Sequence, residues 1–208
     1  MIAIIDYGVG NLRSVQKGLE KVGQQARIVQ DPDEIREAGG LVLPGVGAFA
    51  DAMKSLAERG LIGVIKEVAA SGKPLLGICL GMQLLFEESE EGERVPGLAL
   101  LKGRVRRLPP GLKVPHMGWN QVEIAHPAPI VQGVQDGSAF YFVHSYYVDP
   151  VETDAVTTWT EYGIKFASIV AKNNIYGIQF HPEKSSNLGL HILKNFGELI
   201  GNAHPSGN

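Results

Sequence analysis

Short, largely apolar runs of strand length recur through the first half of this chain: Ile2 to Asp6, Ala26 to Gln30, Leu41 to Leu43 (ending at Pro44) and Leu75 to Cys79. Between them, Asn11 to Val22, Ala48 to Arg59 and Leu61 to Ala70 carry apolar residues at helical spacing, as Leu12, Val15, Leu19 and Val22 do in the first. A strand that is apolar along its length has to bury both faces, and intervening helices provide the cover. The first half therefore predicts an α/β fold with a mostly parallel central sheet flanked by helices. The second half changes character. Leu101 to Leu108, Val114 to Ile124, Ala139 to Val148, Ala155 to Thr160, Phe166 to Lys172 and Ile175 to His181 are alternating, β-branched or aromatic. They read as added antiparallel strands on that sheet or its edge, which makes the sheet mixed. Leu188 to Ile200 reads as a closing helix with Leu190, Leu193, Phe196 and Ile200 available to the core. No linker divides the halves, so one domain is expected over residues 1–201, followed by a polar tail over 202–208.

Composition narrows the function classes. A net charge of -3 gives no overall pull towards nucleic acid or an anionic membrane. One cysteine cannot form an intrachain disulfide, which suits a reducing compartment. The start, Met1 to Asp6, lacks the basic region of a signal peptide, and no apolar run approaches the length of a membrane span. A cytoplasmic protein is expected.

That single cysteine stands in Lys73-Pro74-Leu75-Leu76-Gly77-Ile78-Cys79-Leu80-Gly81-Met82-Gln83. A strand-length run ends on Cys79, a glycine lies two residues to either side, and Met82 to Phe86 reads as the opening of an amphipathic helix. Gly-x-Cys-x-Gly is the thiol counterpart of the nucleophile elbow, a sharp strand-to-helix turn that strains the nucleophile's backbone. The glycines fit because such a turn leaves no room for Cβ atoms. Sulfur there meets the positive end of the helix dipole, which favours thiolate. The alternative is a buried cysteine between packing glycines.

Other stretches bear on that choice. Pro44-Gly45-Val46-Gly47 between a strand and a helix puts backbone N–H groups at a strand's carboxyl end, where open α/β sheets bind ligands. Such donors can hold an oxyanion, although the glycines equally satisfy turn geometry alone. In Gln179-Phe180-His181-Pro182-Glu183, His181 precedes proline and is biased to extended backbone. Residues two apart in an extended segment project to one side, so Glu183 can orient and charge the imidazole. A solvated turn is the alternative. Tyr7-Gly8-Val9-Gly10-Asn11-Leu12-Arg13 lacks the third glycine of a dinucleotide fingerprint and reads as a turn with Asn11 as N-cap. His144 could line a site, with core or strand packing as the default, and His116, His126, His191 and His204 show no metal-ligand spacing with Cys79. No metal or cofactor is expected. Arg104, Arg106 and Arg107 read as a solvated strand face, and the acidic run Glu87 to Glu93 as a polar helix end that could hold a cation.

Taken together, these motifs resemble the class I (triad) glutamine amidotransferases, and more narrowly the glutaminase-subunit family of the imidazole glycerol phosphate synthases. The narrowing stretches are Pro44-Gly45-Val46-Gly47-Ala48-Phe49 and His116-Met117-Gly118-Trp119-Asn120. The resemblance implies that Cys79 attacks the glutamine side-chain amide, that His181 is acid and base, and that Glu183 orients it. Leu80 would donate one oxyanion N–H, and Val46 or Gly47 another, through a loop whose peptide can rotate. Gln83, Glu91, Ser145 and Tyr146 would grip the glutamine backbone groups. It also implies a heterodimer with a (β/α)8-barrel cyclase that receives the ammonia in histidine biosynthesis, with Asn11, Trp119 and Lys184 on the docking face. The alternatives are a triad glutaminase of pyridoxal phosphate, anthranilate or guanylate synthesis, a non-catalytic regulator of the same fold, and a Cys-elbow peptidase or stress protein.

Overall fold

The structure is a computed structural model that describes residues 1–203. Its first half is β1 (Ile2–Ile5), α1 (Leu12–Lys21), β2 (Ala26–Val29), α2 (Pro32–Glu37), β3 (Gly40–Gly45), α3 (Phe49–Glu58), α4 (Leu61–Ala70), β4 (Leu75–Cys79) and α5 (Leu80–Leu84). The second half is β5 (Phe86–Ser89), β6 (Val95–Pro96), β7 (Leu101–Arg107), β8 (His116–Gln121), β9 (Glu123–Ile124), β10 (Ala139–His144), β11 (Tyr146–Pro150), β12 (Val156–Glu161), β13 (Lys165–Lys172), β14 (Ile175–Ile178) and α6 (Ser186–Ala203). The main sheet has the order β2-β1-β3-β4-β14-β13-β12-β9, parallel from β2 to β14 and antiparallel beyond. The mixed α/β class read from the sequence is what the chain adopts.

Alternate residues of each central strand feed opposite faces, as the pleat requires. Ala3, Ile5, Leu41 and Leu43 pack with Phe49, Leu56 and Ile65 of α3 and α4. Ile2, Ile4, Val42 and Ile78 pack with Val15 and Leu19 of α1 and with Ile192 and Phe196 of α6. Pro44 sits inside β3, where proline removes a ladder donor. The position tolerates it because β1 pairs with β3 only as far as Val42, leaving β4 as the sole neighbour there.

Several expectations are corrected. Within Ile175 to His181 strand geometry ends at Ile178, and that strand pairs antiparallel with β13, as expected, but parallel with β4. β11-β7-β5-β6 and β10-β8 form separate small sheets instead of extending the main one. Ala139 to Val148 breaks at Ser145, whose carbonyl accepts the Leu108 N–H. The elbow helix is not amphipathic: α5 is five residues long, buried on every side, and the chain returns as strand β5. Glu87 to Glu93 is consequently strand and turn. The acids there hold Arg104 and Arg106 within the chain, through Glu90 at 3.4 and 3.7 Å. Helix α2 was not foreseen, although Asp31 caps it by accepting the N–H groups of Asp33 and Glu34 at 2.9 and 3.1 Å. Asn11 occupies the N-cap position of α1, but its side chain makes no capping bond. Helix α6 is described to Ala203; the remainder of the expected tail, residues 204–208 with His204, lies outside the described residues.

Candidate active site

The carboxyl ends of β3, β4 and β14 meet at one point of the sheet. Gly45 stands opposite Cys79 in the β3–β4 ladder, and His181 follows the end of β14. Cys79 adopts φ 54 and ψ -110, a conformation that ordinary residues avoid and that elbows impose on their nucleophiles. The turn is as tight as the glycine spacing implied. A Cβ on Gly81 would lie 1.8 Å from the Leu43 carbonyl oxygen, and one on Gly77 would lie 2.5 Å from the Gly81 oxygen. The first turn of α5 therefore rests directly on β3, with no side chain between.

His181 reaches the same point by a different local route from the one expected. Its backbone is extended, at φ -96 and ψ 102, but Pro182–Lys184 then forms a 3-10 turn. That turn brings the Glu183 carboxylate to His181 Nδ1 at 3.0 Å. The main chain of His181 is pinned to β10: its N–H donates to the Tyr141 oxygen at 2.9 Å, and Ser185 Oγ bridges the His181 carbonyl (2.6 Å) to the Tyr141 N–H (2.9 Å). With Nδ1 so engaged, Nε2 is left for Cys79, whose sulfur favours the charged ring. Burial, the largest single influence on His181, favours the neutral ring. Hydrogen bonds to Cys79 and Glu183 and the charges of both together outweigh it and push the imidazole up to about 9. Oε2 of Glu183 is buried and has no hydrogen-bond partner among the described residues, so this carboxylate depends on His181 for its counter-charge.

Cys79 opens into a pocket of about 380 Å³. The pocket gathers most of the expected site residues: Cys79 and His181, Leu80, Val46 and Gly47, and Gln83, Glu91, Ser145 and Tyr146, with Lys184 at its border. Two of them carry internal duties. Glu91 Oε2 accepts the Phe49 N–H at the start of α3 at 2.9 Å. Gln83 Nε2 donates to the Tyr146 carbonyl at 3.0 Å and to Gln179 Oε1 at 3.2 Å. Both of its amide hydrogens are thus in use, which leaves only its oxygen for a ligand. Asn11, Trp119 and Lys184 are all exposed.

One default is overturned and one feature escaped the sequence reading. His144 lines the pocket instead of serving only as packing, and its Nε2 lies 2.8 Å from His116 Nδ1. Burial lowers both, His144 to about 3 and His116 to about 4, so the pair is neutral. Gln179 Nε2 donates to Cys79 Sγ at 3.6 Å, while the Val143 carbonyl accepts from the same sulfur at 3.7 Å. A glutamine within the apolar run Ile178-Gln179-Phe180 was the available signal, since a buried carboxamide needs partners. Among the described residues, no group of three or more His, Cys, Asp or Glu is placed to hold a metal ion, and no helix is long and apolar enough to cross a membrane.

The family model described as glutamine amidotransferase class-I matches residues 3–199. The chain is 58% identical over 207 residues to the imidazole glycerol phosphate synthase subunit HisH of Moorella thermoacetica, covering 100% of this chain and 99% of that one. It is 58% identical over 201 residues to the protein of the same name from Methanosarcina acetivorans, covering 95% and 98%. Among solved structures, a glutamine amidotransferase superposes with a TM-score of 0.75 at 21% identity, covering 97% of this chain and 100% of the other. Another, from Thermotoga maritima, gives 0.64 at 18% identity, covering 97% and 84%. At such identities the structures speak for the fold alone.

Proposed function

The chain belongs to the class I glutamine amidotransferase family, and on that premise we infer that it is the glutaminase subunit of an imidazole glycerol phosphate synthase. The observation that carries the chemistry is a strained Cys79 sharing one pocket with a His181 that is bonded to Glu183. Glutamine enters with its side-chain amide over Cys79. The thiolate attacks the amide carbon, and the N–H of Leu80, with that of Val46 or Gly47, receives the oxyanion. His181, charged through its partners, gives a proton to the departing ammonia and leaves a glutamyl thioester. The neutral imidazole then takes a proton from water, whose oxygen displaces the thiol and completes glutamate. Glu183 holds the ring in position throughout. Gln83, Glu91, Ser145 and Tyr146 grip the α-amino and α-carboxylate groups.

Full-length likeness to subunits named for a synthase gives the chain a partner subunit. We assign that partner as a (β/α)8-barrel cyclase that consumes the ammonia in the cytoplasm, and Asn11, Trp119 and Lys184 as part of the docking face. Three exposed positions support that reading. Gly10, beside Asn11, lies against Pro44 and Gly45; Lys184 borders the pocket; and Trp119 meets Tyr141 edge-on at 6.0 Å.

The test measures glutamate release by the chain alone, then with a barrel cyclase and its phosphorylated ligand. Strong stimulation by the cyclase is expected. Full activity without it, unchanged on adding it, would leave a glutaminase of another pathway. A Cys79→Ala chain that still hydrolyses glutamine would sink the mechanism.

A further inference from the structure

The sulfur of Cys79 needs more help to become an anion than its helix can supply. Macrodipole stabilisation comes from aligned peptide units, and α5 has only five residues. One neighbour works against ionisation, because the Val143 carbonyl at 3.7 Å can only accept and so favours the protonated thiol. His181 is one counterweight. The other is the Gln179 carboxamide, whose Nε2 lies 3.6 Å from Sγ.

The orientation of that carboxamide is forced. The Tyr146 carbonyl has two acceptor sites and receives two donors, Gln83 Nε2 at 3.0 Å and His144 Nδ1 at 2.8 Å. A carbonyl cannot donate, so the amide nitrogen of Gln83 must face Tyr146, and its second hydrogen goes to Gln179 Oε1 at 3.2 Å. Turning Gln179 over would set two NH2 groups against each other in a site where both side chains are buried. The tautomers of the histidine pair agree with this direction. His144 gives its Nδ1 proton to Tyr146, so its Nε2 accepts from His116 Nδ1 at 2.8 Å. Every fixed proton therefore leaves an N–H of Gln179 aimed at the sulfur.

We propose that Gln179 is a catalytic residue that holds Cys79 as thiolate, and that Gln83 is the positioning residue that locks the Gln179 carboxamide in its donating orientation. The assignment rests on Cys79 being the nucleophile of the proposed reaction. It makes ionisation of the thiol depend on a neutral donor as well as on His181, through a contact that needs neither glutamine nor a partner.

Cys79 is the only cysteine, so alkylation of the full chain by iodoacetamide reports one thiol. Gln179→Met keeps the side chain's length and removes the donor; Gln83→Leu keeps the donor and removes its clamp. A hydrogen bond to a charged group contributes about 1.5–3 kcal/mol, so Gln179→Met should slow alkylation at pH 7 about tenfold or more. Gln83→Leu should slow it about threefold, by the weaker effect of a freed rotor. In both variants the rate should rejoin wild type at alkaline pH, where every thiol is ionised; lost packing or access would leave a deficit at all pH values. A folded Gln179→Met chain that alkylates at the wild-type rate at pH 7, or is slowed equally at every pH, overturns the proposal. If that variant does not fold, Gln83→Leu decides it by the same criterion. Alkylation uses neither glutamine nor a partner. A chain that shows this dependence yet hydrolyses no glutamine even with a barrel cyclase and its ligand would refute the proposed function, and with it the word catalytic, while leaving the Gln179–Cys79 contact established.

Discussion

Glu183 is a carboxylate in an uncomfortable place, and together with Cys79 it sets the charge of the base. Its side chain is 2% exposed and that of His181 is 6% exposed, at an Nδ1–Oε1 distance of 3.0 Å. With its second oxygen buried and unpartnered, the carboxylate gains most when the imidazole beside it is protonated. The His181 value of about 9 lies above the ordinary 6.5, so the sign is fixed. The charged ring contributes stability that is fully present below pH 6.5 and is lost as pH rises through about 9. Proton donation to ammonia needs that same charged ring. The glutaminase pH profile of the assembled synthase should therefore fall on an alkaline limb near pH 9. Glu183→Gln removes the counter-charge, so the limb should move to lower pH and turnover should drop about 10²- to 10⁴-fold. A profile with its alkaline limb unmoved in Glu183→Gln would mean that Glu183 only packs.

At the scale of elements, the site depends on α5 lying against β3 with nothing between them. Gly81→Ala puts a Cβ 1.8 Å from a backbone oxygen, an atom that cannot move without shifting β3. Overpacking of this kind costs typically 1–3 kcal/mol and here displaces the Leu80 N–H, so both denaturation midpoint and activity should fall. Gly63, exposed on α4 with open space around its Cβ position, is the control. Gly63→Ala should raise stability by about 0.5–1 kcal/mol, measured by urea denaturation, because alanine restricts the unfolded chain and favours helix. The contrast explains what could be read in advance. The elbow glycines, the parallel core and the His–Glu pair are local patterns, and each was visible as such. The length of α5 was not. Met82-Gln83-Leu84-Leu85-Phe86 has helical propensity, but Phe86 pairs with Leu101 and the Leu85 carbonyl accepts the N–H groups of Leu100 and Leu101. Those partners lie beyond any local window. The same holds for Gln179, whose bonds to Cys79 and Gln83 join residues about a hundred positions apart.

For the molecule as a whole, three of the five exposed large apolar side chains among the described residues lie on β8 and on the loop that lines the pocket. Trp119 is 55% exposed, Met117 62% and Val46 46%. The first two alternate outward along β8 while His116 points inward, as the pleat requires. Each is paired with a β10 residue, Trp119 with Tyr141 and Met117 with Val143. β8 thus joins an apolar outer surface to the strand whose Val143 carbonyl touches the nucleophile. A partner seated there would cover the pocket mouth, so ammonia leaving Cys79 would emerge into the interface and not into solvent. Trp119 has the character of an anchor, being large, rigid and held edge-on by Tyr141. Trp119→Ala should weaken association with the cyclase by about 2 kcal/mol, roughly thirtyfold in Kd, by calorimetry. Its exposed position predicts little change in the melting temperature of the isolated chain. Glutamine-dependent synthesis should then recover when the cyclase is supplied in excess, because the triad is untouched. If excess cyclase does not restore it, Trp119 acts on the chemistry through β10 and not through docking alone. Unchanged affinity would move the interface off this face.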